Sequence, residues 1–139
     1  MVASNVVTAH QPVPSVIAIL TCDRVITEAK TNKKTVVGIF DRWVFPQLPA
    51  HFQFWLYARL IDAEGEYAFR VKVIRLEDDE RLAEALTNPI KIADTLMGAA
   101  DLALPFPPVL IERPGPYEVQ LFANEVFIGR TRVYCQQSD

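Results

Sequence analysis

Residues 117–135 read YEVQLFANEVFIGRTRVYC. Tyr117, Val119 and Leu121 alternate with Glu118 and Gln120. A period of two places apolar side chains on one face of an extended chain and polar ones on the other, whereas a helix would need a period of 3.6. Ala123-Asn124-Glu125 then separates this run from VFIGRTRVYC. A short Asn-bearing gap between two such runs predicts a β-hairpin.

The same rhythm recurs upstream. Thr31-Asn32-Lys33-Lys34 separates SVIAILTCDRVITEA from TVVGIF, and Ala63-Glu64-Gly65-Glu66 separates HFQFWLYARLI from YAFRVKVIRL. Phe52, Phe54, Leu56, Ala58 and Leu60 fall on one face, and Tyr67, Phe69, Val71 and Val73 oppose Arg70 and Lys72. Each gap reads as a hairpin turn. Residues 78–88, DDERLAEALTN, allow two readings. Asp78 or Asp79 can cap a short helix, or Asp78-Asp79-Glu80 can turn the chain into a strand carrying Leu82, Glu84 and Leu86. Local propensity favours the helix; the surrounding hairpin rhythm favours the strand, and the strand is the expectation here. Pro105, Pro107 and Pro108 cannot donate to a ladder, so they mark a crossover or a sheet edge. The expected fold is all-β: a two-sheet antiparallel β-sandwich of about seven to eight strands with at most one short helix.

A chain of 139 residues is expected to form one domain and to hide roughly two-thirds of its unfolded surface. Residues 15–135 are assigned to it, with a flexible N-terminal tail over 1–14 and a C-terminal tail over 136–139. The net charge of −3 supplies no electrostatic footprint for nucleic acid. No apolar run approaches the roughly twenty residues of a membrane span, and MVASNVVTAHQPVP lacks the pattern of a secretory signal. A cytoplasmic location is expected, with Cys22 and Cys135 as reduced, buried thiols.

Residues 113–117, RPGPY, raise the question of a ligand loop. Pro114 and Pro116 fix φ on either side of Gly115, which supplies whatever torsion the bend needs, and Tyr117 enters the core at the start of a strand. The structural role is preferred. ILTCDRVITEAKTNKKTVVGIFDRW (19–43) and RPGPYEVQLFANE (113–125) together resemble the opening strands and closing hairpin of a family of small bacterial domains of unknown function. The resemblance covers most of the chain as a pattern. It implies a β-sandwich and carries over no catalytic residues.

Chemistry-bearing motifs are sparse. His10 and His51 lie at no ligand spacing from a cysteine or from each other. Glu77-Asp78-Asp79-Glu80 has the oxygens for calcium without spaced ligands, so a charged turn is preferred. Cys22 precedes Asp23, yet a nucleophilic thiol needs a cation or base beside it, and Arg24 would point away along a strand. No nucleophile elbow, phosphate loop or zinc-protease motif occurs. No cofactor is expected.

The surface is more informative. Trp55, Tyr57 and Ile61 oppose the Phe52–Leu60 face, although a strand bordering water should be polar there. Something must cover them: the 105–108 segment, the N-terminal tail, or another subunit. The leading expectation is therefore a non-enzymatic interaction or assembly module that contacts a second copy of itself or another protein. The alternative is a small-ligand or carbohydrate-binding domain that uses Trp55, Tyr57 or Trp43 as a stacking platform. A third class, a small hydrolase, would require a polar pocket with a perturbed acid or thiol.

Overall fold

The computed structural model describes residues 11–93 and 97–138. Eleven strands succeed one another: β1 (Ser15–Thr27), β2 (Lys34–Phe40), β3 (Arg42–Phe45), β4 (Ala50–Ile61), β5 (Gly65–Tyr67), β6 (Phe69–Arg75), β7 (Glu80–Leu86), β8 (Ile90–Ile92), β9 (Ala100–Ile111), β10 (Gly115–Ala123) and β11 (Val126–Gln137). No helix occurs among the described residues. The all-β expectation is met, but its count of seven to eight strands is too low. The surplus includes β3, β5 and β8, of three or four residues each, too short for alternation to register. Of the expected tails, residues 1–10 and Asp139 lie outside the described range, and β11 continues to Gln137.

The strands form a four-stranded sheet of order β2-β1-β4-β9, a five-stranded sheet of order β3-β11-β10-β6-β7, and a two-stranded sheet of β5 and β8. β3 runs parallel to β11, so the pairing is not wholly antiparallel as expected. The 117–135 stretch does form a hairpin, closing at Ala123↔Val126. Both loop residues, Asn124 and Glu125, have positive φ, +46° and +68°, which suits a tight turn between right-twisted strands. Asn124 also anchors the turn, accepting from the Ala68 N–H through its side chain and donating to the Ala68 carbonyl through its backbone.

The other turns divide. Thr27↔Lys34 closes the β1–β2 hairpin, with Asn32 at φ +60°. Arg75↔Glu80 closes the β6–β7 hairpin, with Asp79 at φ +57°, so residues 80–86 are a strand. The gap at 63–66 is different. It carries the chain from β4 in one sheet to β6 in another, with β5 pairing to β8 on the way. The hairpin expected there is absent because turn residues encode a bend and not the partner that follows it.

Inward residues of both larger sheets enter one core. Phe54, Leu56, Ala58 and Leu60 of β4 share it with Val71 and Val73 of β6 and with Tyr117, Val119 and Leu121 of β10. Phe54 stacks on Phe106, and the Trp43 ring packs against Phe52, Phe54 and Tyr117. Truncating a buried phenylalanine such as Phe54 to alanine should cost about 3–5 kcal/mol through lost transfer energy and the cavity left behind. Among the described residues, β9, with Pro105, Pro107 and Pro108, pairs only with β4 and forms an edge of its sheet. Prolines are tolerated there because an edge leaves one row of N–H groups unpaired.

Candidate functional site

Directly opposed residues of paired strands share a face, so register fixes what lies beside the aromatic residues of β4. Trp55 stands between Cys22 of β1 and Pro105 of β9, and Tyr57 stands between Leu20 and Ala103. Ile39 of β2 extends the Trp55 row and is 64% exposed. Trp55, Tyr57 and Ile61 are half-buried, and Cys22 beneath them is fully buried. The outward side of the four-stranded sheet is therefore mainly apolar.

Arg24, opposite Val37, and His51, opposite Leu110, interrupt it, as does one hydrogen-bonded network. The Tyr57 hydroxyl donates to Asp101 Oδ1 at 3.0 Å, and Arg59 Nη1 donates to the same oxygen at 2.6 Å. Burial, then the hydrogen bond and charge of Asp101, push the Tyr57 phenol up, so it remains a protonated donor at neutral pH. This arrangement aligns one ring edge and one guanidinium on a single carboxylate. Sequence reading missed Arg59 and Asp101, because only the β4–β9 register brings them together.

Trp55 also lines a cleft of about 340 Å³ with Val25, Thr27, Lys34, Ile90 and Asp101. The far end of the β1–β2 hairpin, beyond the last β1–β4 pair at Cys22, thus comes to the same cleft as β4 and β9. The 105–108 segment does not lie over Trp55, because it sits beside it within the sheet. Gln11 of the expected tail goes elsewhere, exchanging hydrogen bonds with the Glu66 backbone, and the Tyr67 hydroxyl donates to the Pro12 carbonyl.

Trp43 is not part of this surface. It is 1% exposed, and its ring lies among Phe40, Phe52, Phe54 and Tyr117, so it cannot serve as a stacking platform. β3 alternates exposed and buried residues, and pairing of Trp43 with Cys135 turns both inward. The parity of a four-residue strand is not readable from its sequence.

The remaining candidates resolve into structural contacts. Pro114 precedes β10; Gly115 has φ +133°, and the Tyr117 hydroxyl donates to the Arg113 carbonyl at 2.6 Å. In the acidic turn, Asp78 pairs with Arg75 at 2.8 Å, Glu80 also meets Arg75, and Glu77 pairs with Arg113 at 2.6 Å. These carboxylates face guanidinium groups, and no group of three metal-ligating side chains gathers among the described residues. Cys22 and Cys135 are free and buried. Burial foremost, with the charge of Asp23, pushes the Cys22 thiol up, and burial pushes Cys135 up to about 11. Both shifts run opposite to activation of a nucleophile.

Among the described residues, no helix is long and apolar enough to cross a membrane. No curated protein matches the chain. The model of a family of unknown function, DUF6941, matches residues 17–136, from the third residue of β1 almost to the end of β11. With its strands, its shared core and the outward β4 face inside that span, the chain belongs to the DUF6941 family.

Proposed function

We propose that this chain is a non-enzymatic β-sandwich module that associates with a second copy of itself through the outward side of the β2-β1-β4-β9 sheet. The observation that carries the reading is the apolar surface on the outward side of the four-stranded sheet, where Ile39 and Trp55 flank Cys22 and Leu20 opposes Tyr57. The outward side of the five-stranded sheet instead interleaves its apolar residues, among them Ile74, Phe122, Phe127 and Tyr134, with Arg130, Arg132, Lys72 and Glu84. Two large aromatic side chains bring roughly 300–500 Å² of surface, at about 150–250 Å² each. Both are partly buried within the chain, so at most about a third of that surface is left uncovered, worth no more than roughly 3–4 kcal/mol at about 25 cal/mol per Å² before association costs. The raised thiol pKa values and the arginine-paired carboxylates support a non-catalytic role.

Light scattering on the native chain and on Trp55→Glu tests the reading. The native protein should have the mass of a dimer or larger assembly, and the variant should be a folded monomer. A native monomer at high concentration would overturn it.

A second reading rests on the cleft. Its volume of about 340 Å³ falls in the range of small-molecule sites, and Trp55 supplies an aromatic wall beside Lys34 and Asp101. A small ligand or carbohydrate stacking there should change Trp55 fluorescence in a monomeric protein. Saturable quenching that is lost on replacing Trp55 by Leu would favour this alternative over assembly.

A further inference from the structure

The five-stranded sheet has a different outward side, which the assembly reading does not use. Register places Arg132 beside Glu118, Arg130 and Lys72 on either side of Gln120, and Arg42 beside Tyr134. Arg81 and Arg70 complete the cationic set, across from Ile74 and Phe122. Six cations therefore face three glutamates, Glu84, Glu118 and Glu125, on a chain whose net charge is −3. The rest of the chain is acidic on balance, although the β1–β2 turn is also basic, with Lys30, Lys33 and Lys34 against Glu28.

Glu118 organises the centre. Its side chain is only 6% exposed, and its Oε1 lies 3.3 Å from Arg132 Nε and 3.5 Å from Arg130 Nε. One buried carboxylate thus holds two guanidiniums that are themselves 58% and 62% exposed. Each guanidinium retains N–H donors directed away from that shared oxygen, because an arginine has five donors and only one contacts it. Beside them, Phe127 is 47% exposed and meets Phe122 edge-on, with Lys72 above the Phe122 ring at 4.6 Å. Paired arginines beside an exposed aromatic ring are the composition of interface anchors.

We propose that this side docks an acidic polypeptide segment, whose carboxylates bridge Arg130 and Arg132 while an apolar side chain packs on Phe127. Charge complementarity selects the occupant: an excess of three positive charges on this side favours an anionic partner, and Glu118 brings the two arginines together around one oxygen. A single-stranded nucleic acid would also meet cations and rings, but the central buried carboxylate opposes a continuous phosphate track.

Fluorescence anisotropy on the full chain at low salt tests the proposal with a short labelled peptide of alternating Glu and Leu and with labelled oligo-dT. The acidic peptide should bind saturably, and rising salt should weaken it. Arg130→Gln with Arg132→Gln should weaken binding about tenfold or more, equivalent to at least about 1.4 kcal/mol. Lys30→Glu with Lys33→Glu, in the distant β1–β2 turn, should leave it unchanged. Amide shifts of the native protein on peptide addition should map to β6, β10 and β11, which holds the proposal to account if the double arginine variant misfolds. Absence of peptide binding, equal loss in the lysine variant, shifts mapped elsewhere, or tighter binding of oligo-dT would overturn it.

Discussion

The Tyr117 hydroxyl reaches back four residues and donates to the Arg113 carbonyl at 2.6 Å, while the rest of the side chain is fully buried. The bond spans Pro114-Gly115-Pro116 and ties the entry of β10 to the corner before it. It also satisfies a phenol that burial would otherwise leave without a partner. Tyr117→Phe should lower stability by about 1–2 kcal/mol, since it removes the bond and orphans the carbonyl while leaving the ring packed. Chemical denaturation reads the effect, and an unchanged midpoint would contradict this account of the corner.

Gly115 should be sensitive for a different reason. Its φ of +133° is one that side-chain-bearing residues rarely adopt, and no atom lies within 4 Å of where a Cβ would stand. Strain there is therefore torsional and not steric. Gly115→Val should cost about 1–3 kcal/mol and leave binding by either sheet unaltered. Full thermal stability in the variant would mean that the backbone relaxes to ordinary extended torsions.

These corner contacts mark how far the sequence could be read. Alternation in 117–121 and 67–73 reported the strands, because one face meets the core and the other meets water. Asn32 and Asn124 reported two hairpins, because each turn needs positive φ. Partner choice was not encoded locally: the turn at 63–66 looks like the others but joins strands of different sheets. The candidate site divides in the same way. Trp55, Tyr57 and Ile61 were visible as apolar residues on the wrong face of a strand. The Tyr57–Asp101–Arg59 network was not, since its partners lie 44 and 42 residues apart, and the inward turn of Trp43 follows from pairing with the chain's last strand.

Both thiols should react slowly in the native state. Burial raises their pKa values, so little thiolate exists at neutral pH and reagents cannot reach what there is. Labelling at pH 7 should wait for unfolding and then be complete at both positions. Rapid native modification of Cys22 would restore the case for a catalytic thiol.

Asp78 should contribute an acid-sensitive part of the stability. The Arg75 guanidinium beside it holds its carboxyl down at about 2, against an ordinary value of 3.8. A group whose pKa is depressed by folding adds stability above its unfolded value, and that contribution is lost as pH falls from about 3.8 towards about 2. Asp78→Asn should therefore flatten the pH dependence of the unfolding midpoint in that window. A variant with an acid limb as steep as the native one would show that the pair is not coupled to folding.

The assembly reading stands or falls on solution mass. Sedimentation equilibrium of the native chain, loaded over a wide range of concentrations, should give a mass at least twice the 15.7 kDa of one chain, falling towards that value on dilution. The same measurement on Trp55→Glu should give 15.7 kDa throughout, with a β-type circular dichroism spectrum. A native mass of 15.7 kDa at every concentration would contradict the account.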